Sequence, residues 1–298
     1  MEKMLKKKYF DVAGHVFTLE MGEGDRLWDD LDNYAPFECV GNGVDAAFSL
    51  SLCDDIDVSG KKEMYVSTPV EGDQRIDIYS LDEGYLFEMA PLGDVPVCGF
   101  LQVSGDFSMG RLKVLKAKRF CVNNALMLMY AFRTAPLGTL EMHASVTVKD
   151  GKGFLFLGRS GTGKSTHSSL WLKNVPGSHL LNDDNPIVRF TDEGARVYGS
   201  PWSGKTPCYI NENYPVGAFV RINRAPYDAI HRMNLAESFA SISSSASGLR
   251  AIRSIADGLF ATISSIVQST PCYILDCLPD AAAAIVCSSE VLKNVQGS

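Results

Sequence analysis

The first third of the chain alternates. Between Tyr9 and Met21, the apolar residues Phe10, Val12, Val16 and Phe17 are spaced by polar or small ones. Residues 64–70, 75–79, 85–89 and 97–103 are further short, bulky runs. A period of two in β-branched and aromatic residues predicts strands. Gly72-Asp73, Asp82-Glu83-Gly84, Gly93-Asp94 and Gly105-Asp106 separate the runs with turn chemistry. Residues 1–118 therefore read as a β-rich N-terminal lobe, an antiparallel sheet or a sandwich.

The pattern then changes. Residues 123–132 are apolar nearly all round, with Asn123 or Asn124 as a cap, which predicts a helix buried between two lobes. Strands are expected at 142–148 and 154–157, with a turn between them. A helix is expected from near Gly163 through Trp171 and Leu172. A strand follows at 179–181, running into Asn182-Asp183-Asp184. Further strands are expected at 187–190, 196–198, 218–222 and 272–275, and helices at 235–244, 249–267 and 279–292, the last with Pro279 in its first turn. Strands alternating with helices predict an α/β core. With 298 residues the chain exceeds what one core usually serves, and two domains are expected, 1–118 and 119–298.

Between the 154–157 strand and its helix stands Gly158-Arg159-Ser160-Gly161-Thr162-Gly163-Lys164-Ser165, followed by Thr166. Each fixed position of Gly-x-x-x-x-Gly-Lys-Ser has a mechanical reason. The glycines allow positive φ and turn backbone N–H groups toward phosphate oxygens. The following helix aims its positive end at the same anion. Lys164 reaches the β- and γ-phosphates, and Ser165 is placed to ligate Mg2+. The expected cofactors are ATP and Mg2+, held by Gly158, Ser160, Gly161, Thr162, Gly163, Lys164, Ser165 and Thr166.

Asp183 and Asp184 end the next strand, and ligands of α/β sheets sit at the carboxyl ends of strands. One acid can hold the cation while the other takes a proton from an attacking hydroxyl. The competing reading is an Asx turn assisted by Asn182 and Asn185. His143 reads equally as a site residue or as a core histidine bonded to a backbone carbonyl. Phosphoryl transfer needs further cations, for which Arg159, Lys205, Arg221 and Arg224 are candidates. Lys205 follows Gly199-Ser200-Pro201-Trp202-Ser203-Gly204, whose glycines around a tryptophan suit a substrate-facing lid. Arg221 lies within a strand, and Arg224 reads as an ordinary surface charge.

Composition narrows the classes. Hydrophobic content of 46% and charged content of 21% fit a globular protein, and a net charge of −7 argues against non-specific nucleic-acid binding. The eight cysteines form no Cys-x-x-Cys pair and read as buried hydrophobes in a reducing cytosol. The basic start, Met1 to Lys8, runs into Tyr9-Phe10-Asp11 without an apolar signal segment, and no apolar run is long enough to span a bilayer. The expectation is a cytoplasmic protein with no nucleic-acid or membrane partner; self-association into a homo-oligomer is left open.

Gly158-x-Ser160-Gly161-x-Gly163-Lys164-Ser165, preceded by His143 and followed by Asp183-Asp184, resembles the catalytic domain of HPr kinase/phosphorylase. The related phosphoenolpyruvate carboxykinases share Ser-Gly-Thr-Gly-Lys and an Asp-Asp pair. The resemblance covers residues 141–189 and implies a carboxykinase-type P-loop domain behind the β-rich lobe. It implies that Asp183 is the base toward a serine hydroxyl, that Asp184 assists Mg2+, and that His143 matches the family's histidine. The family's Glu-x-Arg-Gly signature is absent, and the N-terminal region does not match that family's N-terminal domain.

The reading is a Mg-dependent ATP kinase acting on a hydroxyl of a protein, peptide or small molecule. Asp183, Lys164, His143, Lys205 and Arg221 are its catalytic candidates, and Ser165 and Asp184 its metal ligands. The alternatives are a carboxykinase-like lyase, with metal held by His143 and Asp184, and a non-catalytic nucleotide-binding module.

Overall fold

The computed structural model describes residues 4–41, 43–67, 74–92, 95–204 and 206–293. The chain divides into two compact units, the first ending at Arg133 and the second beginning at Thr134.

The first unit carries β1 (Leu5–Val12), β2 (His15–Gly22), β3 (Glu38–Cys39), β4 (Phe48–Leu52), β5 (Lys62–Tyr65), β6 (Arg75–Ser80), β7 (Tyr85–Ala90), β8 (Gly99–Val103) and β9 (Met109–Val114), then α1 (Lys118–Thr134). Its strands form one sheet in the order β3-β1-β2-β4-β9-β8-β7-β6-β5. The sheet is mixed rather than antiparallel throughout, because β4 pairs parallel with both β2 and β9. The predicted strand at 64–70 falls partly outside the described residues.

The α1 helix starts earlier than 123, and no asparagine caps it. Asn124 lies inside it and donates to Phe120 O (2.9 Å). The helix belongs with the first unit rather than opening the second, and it packs on that unit's own sheet. Tyr130 Oη donates to Val12 O (2.9 Å), and its ring meets Phe17 and Phe48 edge-on. Arg133 Nε donates to Ala47 O (2.9 Å).

The second unit carries β10 (Thr139–Glu141), β11 (Ala144–Lys149), β12 (Lys152–Leu157), α2 (Lys164–Asn174), β13 (His179–Asp184), β14 (Ile187–Thr191), β15 (Gly194–Tyr198), β16 (Asn213–Arg224), β17 (Ala229–Arg232), α3 (Leu235–Ser243), α4 (Arg253–Ser269), β18 (Cys272–Cys277) and α5 (Ala281–Val291). The main path of its sheet is β10-β14-β15-β16-β12-β11-β13, with β18 beside β16 and β17 beside β18. This is a mixed α/β unit. Asn234 and Glu237 cap α3 reciprocally, and Asp280 caps α5, which leaves Pro279 just outside that helix.

Alternation along the strands divides the unit's core. Phe154 and Phe156 of β12, Val220 and Ile222 of β16, and Tyr273, Leu275 and Cys277 of β18 share one face. Trp171 of α2 and Ala283, Ala284 and Cys287 of α5 close over them. Trp171 is fully buried, with ring centroids 5.2 Å from Phe154 and 5.3 Å from Phe156. That packing fixes α2, and with it the loop at its N-terminus. Arg221, between Val220 and Ile222, points to the opposite face, where α3 lies. Among the described residues no helix is long and apolar enough to cross a membrane.

Candidate functional site

The loop from Gly158 to Gly163 joins β12 to α2. Gly161 and Gly163 take φ of 75° and 111°, a region closed to most side chains. A Cβ on Gly158 would fall 2.4 Å from Thr162 Oγ1, so the tight curl admits only glycine there. Thr162 Oγ1 and N both donate to Arg159 O, at 2.8 and 3.2 Å. Ser160, Ser165 and Thr166 are exposed around the loop and the first turn of α2, whereas Lys164 is only 8% exposed.

Sheet register places the acids beside this loop. Ala144 of β11 pairs with Leu157 on one side and with Asp184 on the other, and Ser145 likewise separates Phe156 from Asp183. Both neighbours run antiparallel to β11, so the carboxyl ends of β12 and β13 lie at one sheet edge. His143, immediately before β11, stands between them.

The side chains converge there. Lys164 Nζ lies 2.9 Å from His143 Nε2 and donates to Gly158 O at 3.2 Å. His143 Nε2 lies 3.3 Å from Asp184 Oδ1. Accepting from the ammonium requires the imidazole tautomer with its proton on Nδ1. The His143 side chain is 40% exposed, so it is not a core histidine. Burial lowers the pKa of Lys164, and the charges of Asp184 and then Asp183 oppose that shift.

Successive strand residues point to opposite faces, so the two acids differ. Asp184 turns to His143, is held at a φ of 149°, and accepts from Asn185 Nδ2 at 3.2 Å. A non-glycine residue in that conformation is strained. Asp183 is 2% exposed, and its Oδ1 has no hydrogen-bond partner among the described residues. Neither carboxylate closes the turn after β13: Asn182 Oδ1 accepts from Asn185 N at 3.0 Å. The Asx turn is present, and Asn182 makes it.

Asn182 also donates to Ser200 Oγ (3.2 Å) and Trp202 O (3.1 Å), and both Ser200 and Trp202 are buried. The segment expected as a lid is therefore anchored at 200–203. Gly204 N donates to Asp183 O (2.5 Å), an approach that a side chain at Gly204 would obstruct. Lys205 lies outside the described residues.

Arg221 stands beside Leu157 in register. Its guanidinium donates to Ser241 Oγ (2.7 Å), Ser241 O (2.6 Å), Ser244 Oγ (2.7 Å) and Ser245 Oγ (3.2 Å). Ser245 O in turn accepts from His143 N (2.7 Å), so the end of α3 and the turn after it set both residues. Burial and then the charge of Arg159 lower the Arg221 pKa. A cavity of about 470 Å³ opens beside Arg221, with His231, Arg232, Glu237 and Ile274 in its walls.

Two residues escape a reading of the sequence. Arg224 is no idle surface charge: its Nε donates to Thr162 O (3.4 Å) and its Nη2 to Gly161 O, clamping the loop. Glu141, 2% exposed at the end of β10, has its pKa pushed up to about 7 by burial. A hydrogen bond from Ser247 opposes that rise and the charge of Asp184 adds to it. The one sequence signal for Glu141 is an acid among apolar residues two positions before His143.

No protein-family model matches the chain, and no curated protein sequence matches it. Among solved structures, the HPr(Ser) kinase/phosphatase from Coxiella burnetii aligns with 52% of this chain and 90% of its own, at 11% identity and a TM-score of 0.31. At that score it is a distant structural likeness only.

Proposed function

We propose that the loop at Gly158–Gly163 binds the triphosphate of ATP and that the chain transfers the γ-phosphoryl group to an acceptor hydroxyl, as a kinase of the HPr kinase and carboxykinase type. The observation that carries this reading is that His143 Nε2 lies 2.9 Å from Lys164 Nζ and 3.3 Å from Asp184 Oδ1 at the sheet edge where the loop emerges.

Loop amides and the N-terminus of α2 face the phosphates, and Lys164 neutralises the transferring group. The acceptor oxygen attacks the γ-phosphorus as the bond to the β-bridging oxygen breaks and ADP leaves. Asp183 Oδ1, buried and unpartnered among the described residues, takes the hydroxyl proton. Arg221, fixed by three serines, adds positive charge beside the loop.

Asp184 and Ser165 suit a hard cation with oxygen ligands. Phosphate and water oxygens would complete the shell of Mg2+ there. Such an ion, when bound, would screen the phosphate charge.

The test uses γ-labelled ATP with a cell lysate. The wild type should label an acceptor, and Asp183→Asn should bind ATP without labelling it. Equal labelling by both proteins would rule out the assigned proton acceptor.

The pairing of His143 with Asp184 favours one second reading, a carboxykinase-like lyase whose metal they share. Release of carbon dioxide from oxaloacetate and ATP would select it; no release rules it out.

A further inference from the structure

A cavity of about 480 Å³ lies on the other side of α2 from the acids. The helix itself makes the division. Lys164 and Ser168, four positions apart, meet His143 and Ser145. Thr166 and Leu170, also four apart but about 200° round the helix from Lys164, line the cavity. Ile222 and Ala225 close it from the end of β16, and Leu278 and Pro279 from beyond β18. Arg224 stands in its wall while its guanidinium holds the carbonyls of Gly161 and Thr162.

The order of strands along the sheet edge gives the site a polarity. The acids end β13, His143 precedes β11, the loop leaves β12, and the cavity follows at β16 and β18. A triphosphate lying in the loop with its terminal phosphate at Lys164 must run its other end toward Thr166 and the cavity. The volume falls in the range of about 300–1,000 Å³ typical of small-molecule pockets.

The walls are built rather than loose. Asp228 Oδ1 accepts from Leu278 N (3.0 Å), Ala225 N donates to Cys277 O (3.1 Å), and Asp280 Oδ1 accepts from Ala283 N (3.1 Å). Burial pushes the Cys277 thiol up to about 11 and His167 down to about 4, so both are neutral near pH 7 and the lining stays uncharged apart from Arg224.

We infer that this cavity takes the nucleoside half of the bound nucleotide, its base against Leu170, Ile222 and Leu278 and within reach of the Arg224 guanidinium. Stacking on that planar cation suits an aromatic base, and the apolar walls suit its faces. This rests on the phosphate-binding reading of the loop, and it can fail alone.

Calorimetry with two probes, Mg-ATP and Mg-tripolyphosphate, separates the cases. The wild type should bind ATP at least tenfold more tightly than tripolyphosphate. Ala225→Trp, which fills the cavity, should abolish that difference and leave tripolyphosphate binding unchanged. Equal affinities in the wild type, or an undiminished preference for ATP in folded Ala225→Trp, overturn the inference while leaving the loop's role intact. Failure of the wild type to bind either probe overturns both. Photolabelling of the wild type with 8-azido-ATP needs no variant: labels should fall in 166–170 or 277–279, and labels found only elsewhere contradict the assignment.

Discussion

Leu157 and Asp184 pair with the same residue, Ala144, from opposite sides. That relationship brings the strand that launches the glycine-rich loop and the strand that ends in two acids to one edge, with His143 between them. Three strands thus hold the site, and its precision depends on the packing that holds those strands and α2.

Asp184 is the acid next to His143, so Asp184→Asn should weaken the response to magnesium more than the affinity for nucleotide. The magnesium concentration for half-maximal transfer should rise by about tenfold, about 1.4 kcal/mol. A magnesium titration of labelled-phosphate transfer reads this directly; an unchanged midpoint removes Asp184 from the cation's shell.

Arg224 clamps two loop carbonyls from outside. Arg224→Ala should leave the fold intact and lower ATP affinity by about tenfold through a looser loop and a lost stacking surface. Tripolyphosphate affinity should fall less. Thermal melting together with calorimetry distinguishes this from general unfolding.

Glu141 makes stability depend on pH. Its pKa in the fold, about 7, stands above its ordinary value of 4.5, so the native state holds the proton longer than the unfolded chain. Stability from this group therefore falls as pH rises between about 4.5 and 7, by about 3 kcal/mol at most. His167 acts in the opposite sense. Its pKa is depressed to about 4 from 6.5, so its contribution is present above pH 6.5 and is lost as pH falls toward 4. Glu141→Gln should thus gain stability over the wild type from pH 5 to pH 8, as read by denaturant unfolding at both values. A stability difference independent of pH would contradict the shifted carboxyl.

Trp171 ties α2 to the sheet. Trp171→Ala should cost about 3–5 kcal/mol, and Trp171→Phe less. Denaturant midpoints check the order, and a loss under 1 kcal/mol would mean that α2 is held by other contacts.

The strand, turn and helix around Gly158 are legible in the sequence because residue type and spacing set them locally. Phe154 to Leu157 could be read as a buried strand, and Gly158 to Lys164 as a turn into a helix, without knowing any partner. Long-range partners were not legible. The parallel pairing of β4 with β2 and β9 depends on which strands meet. Helix α1 joins the first unit because Tyr130 and Arg133 find carbonyls there, which an apolar run does not announce. The role of Arg224 depends on β16 lying beside β12, and the raised pKa of Glu141 on burial beside Asp184. The sequence offers an Asx turn at Asn182–Asn185 only as the competing reading of the acidic pair; which oxygen closes that turn, Asn182 Oδ1 rather than a carboxylate, depends on the local backbone.

The most direct test of the central claim is calorimetric titration of the intact protein with Mg-ATP, beside Lys164→Ala as a folded control. One nucleotide should bind per chain to the wild type, with affinity at least tenfold lower in Lys164→Ala. No uptake by the wild type, or equal uptake by both, would contradict a phosphate-binding role for the loop.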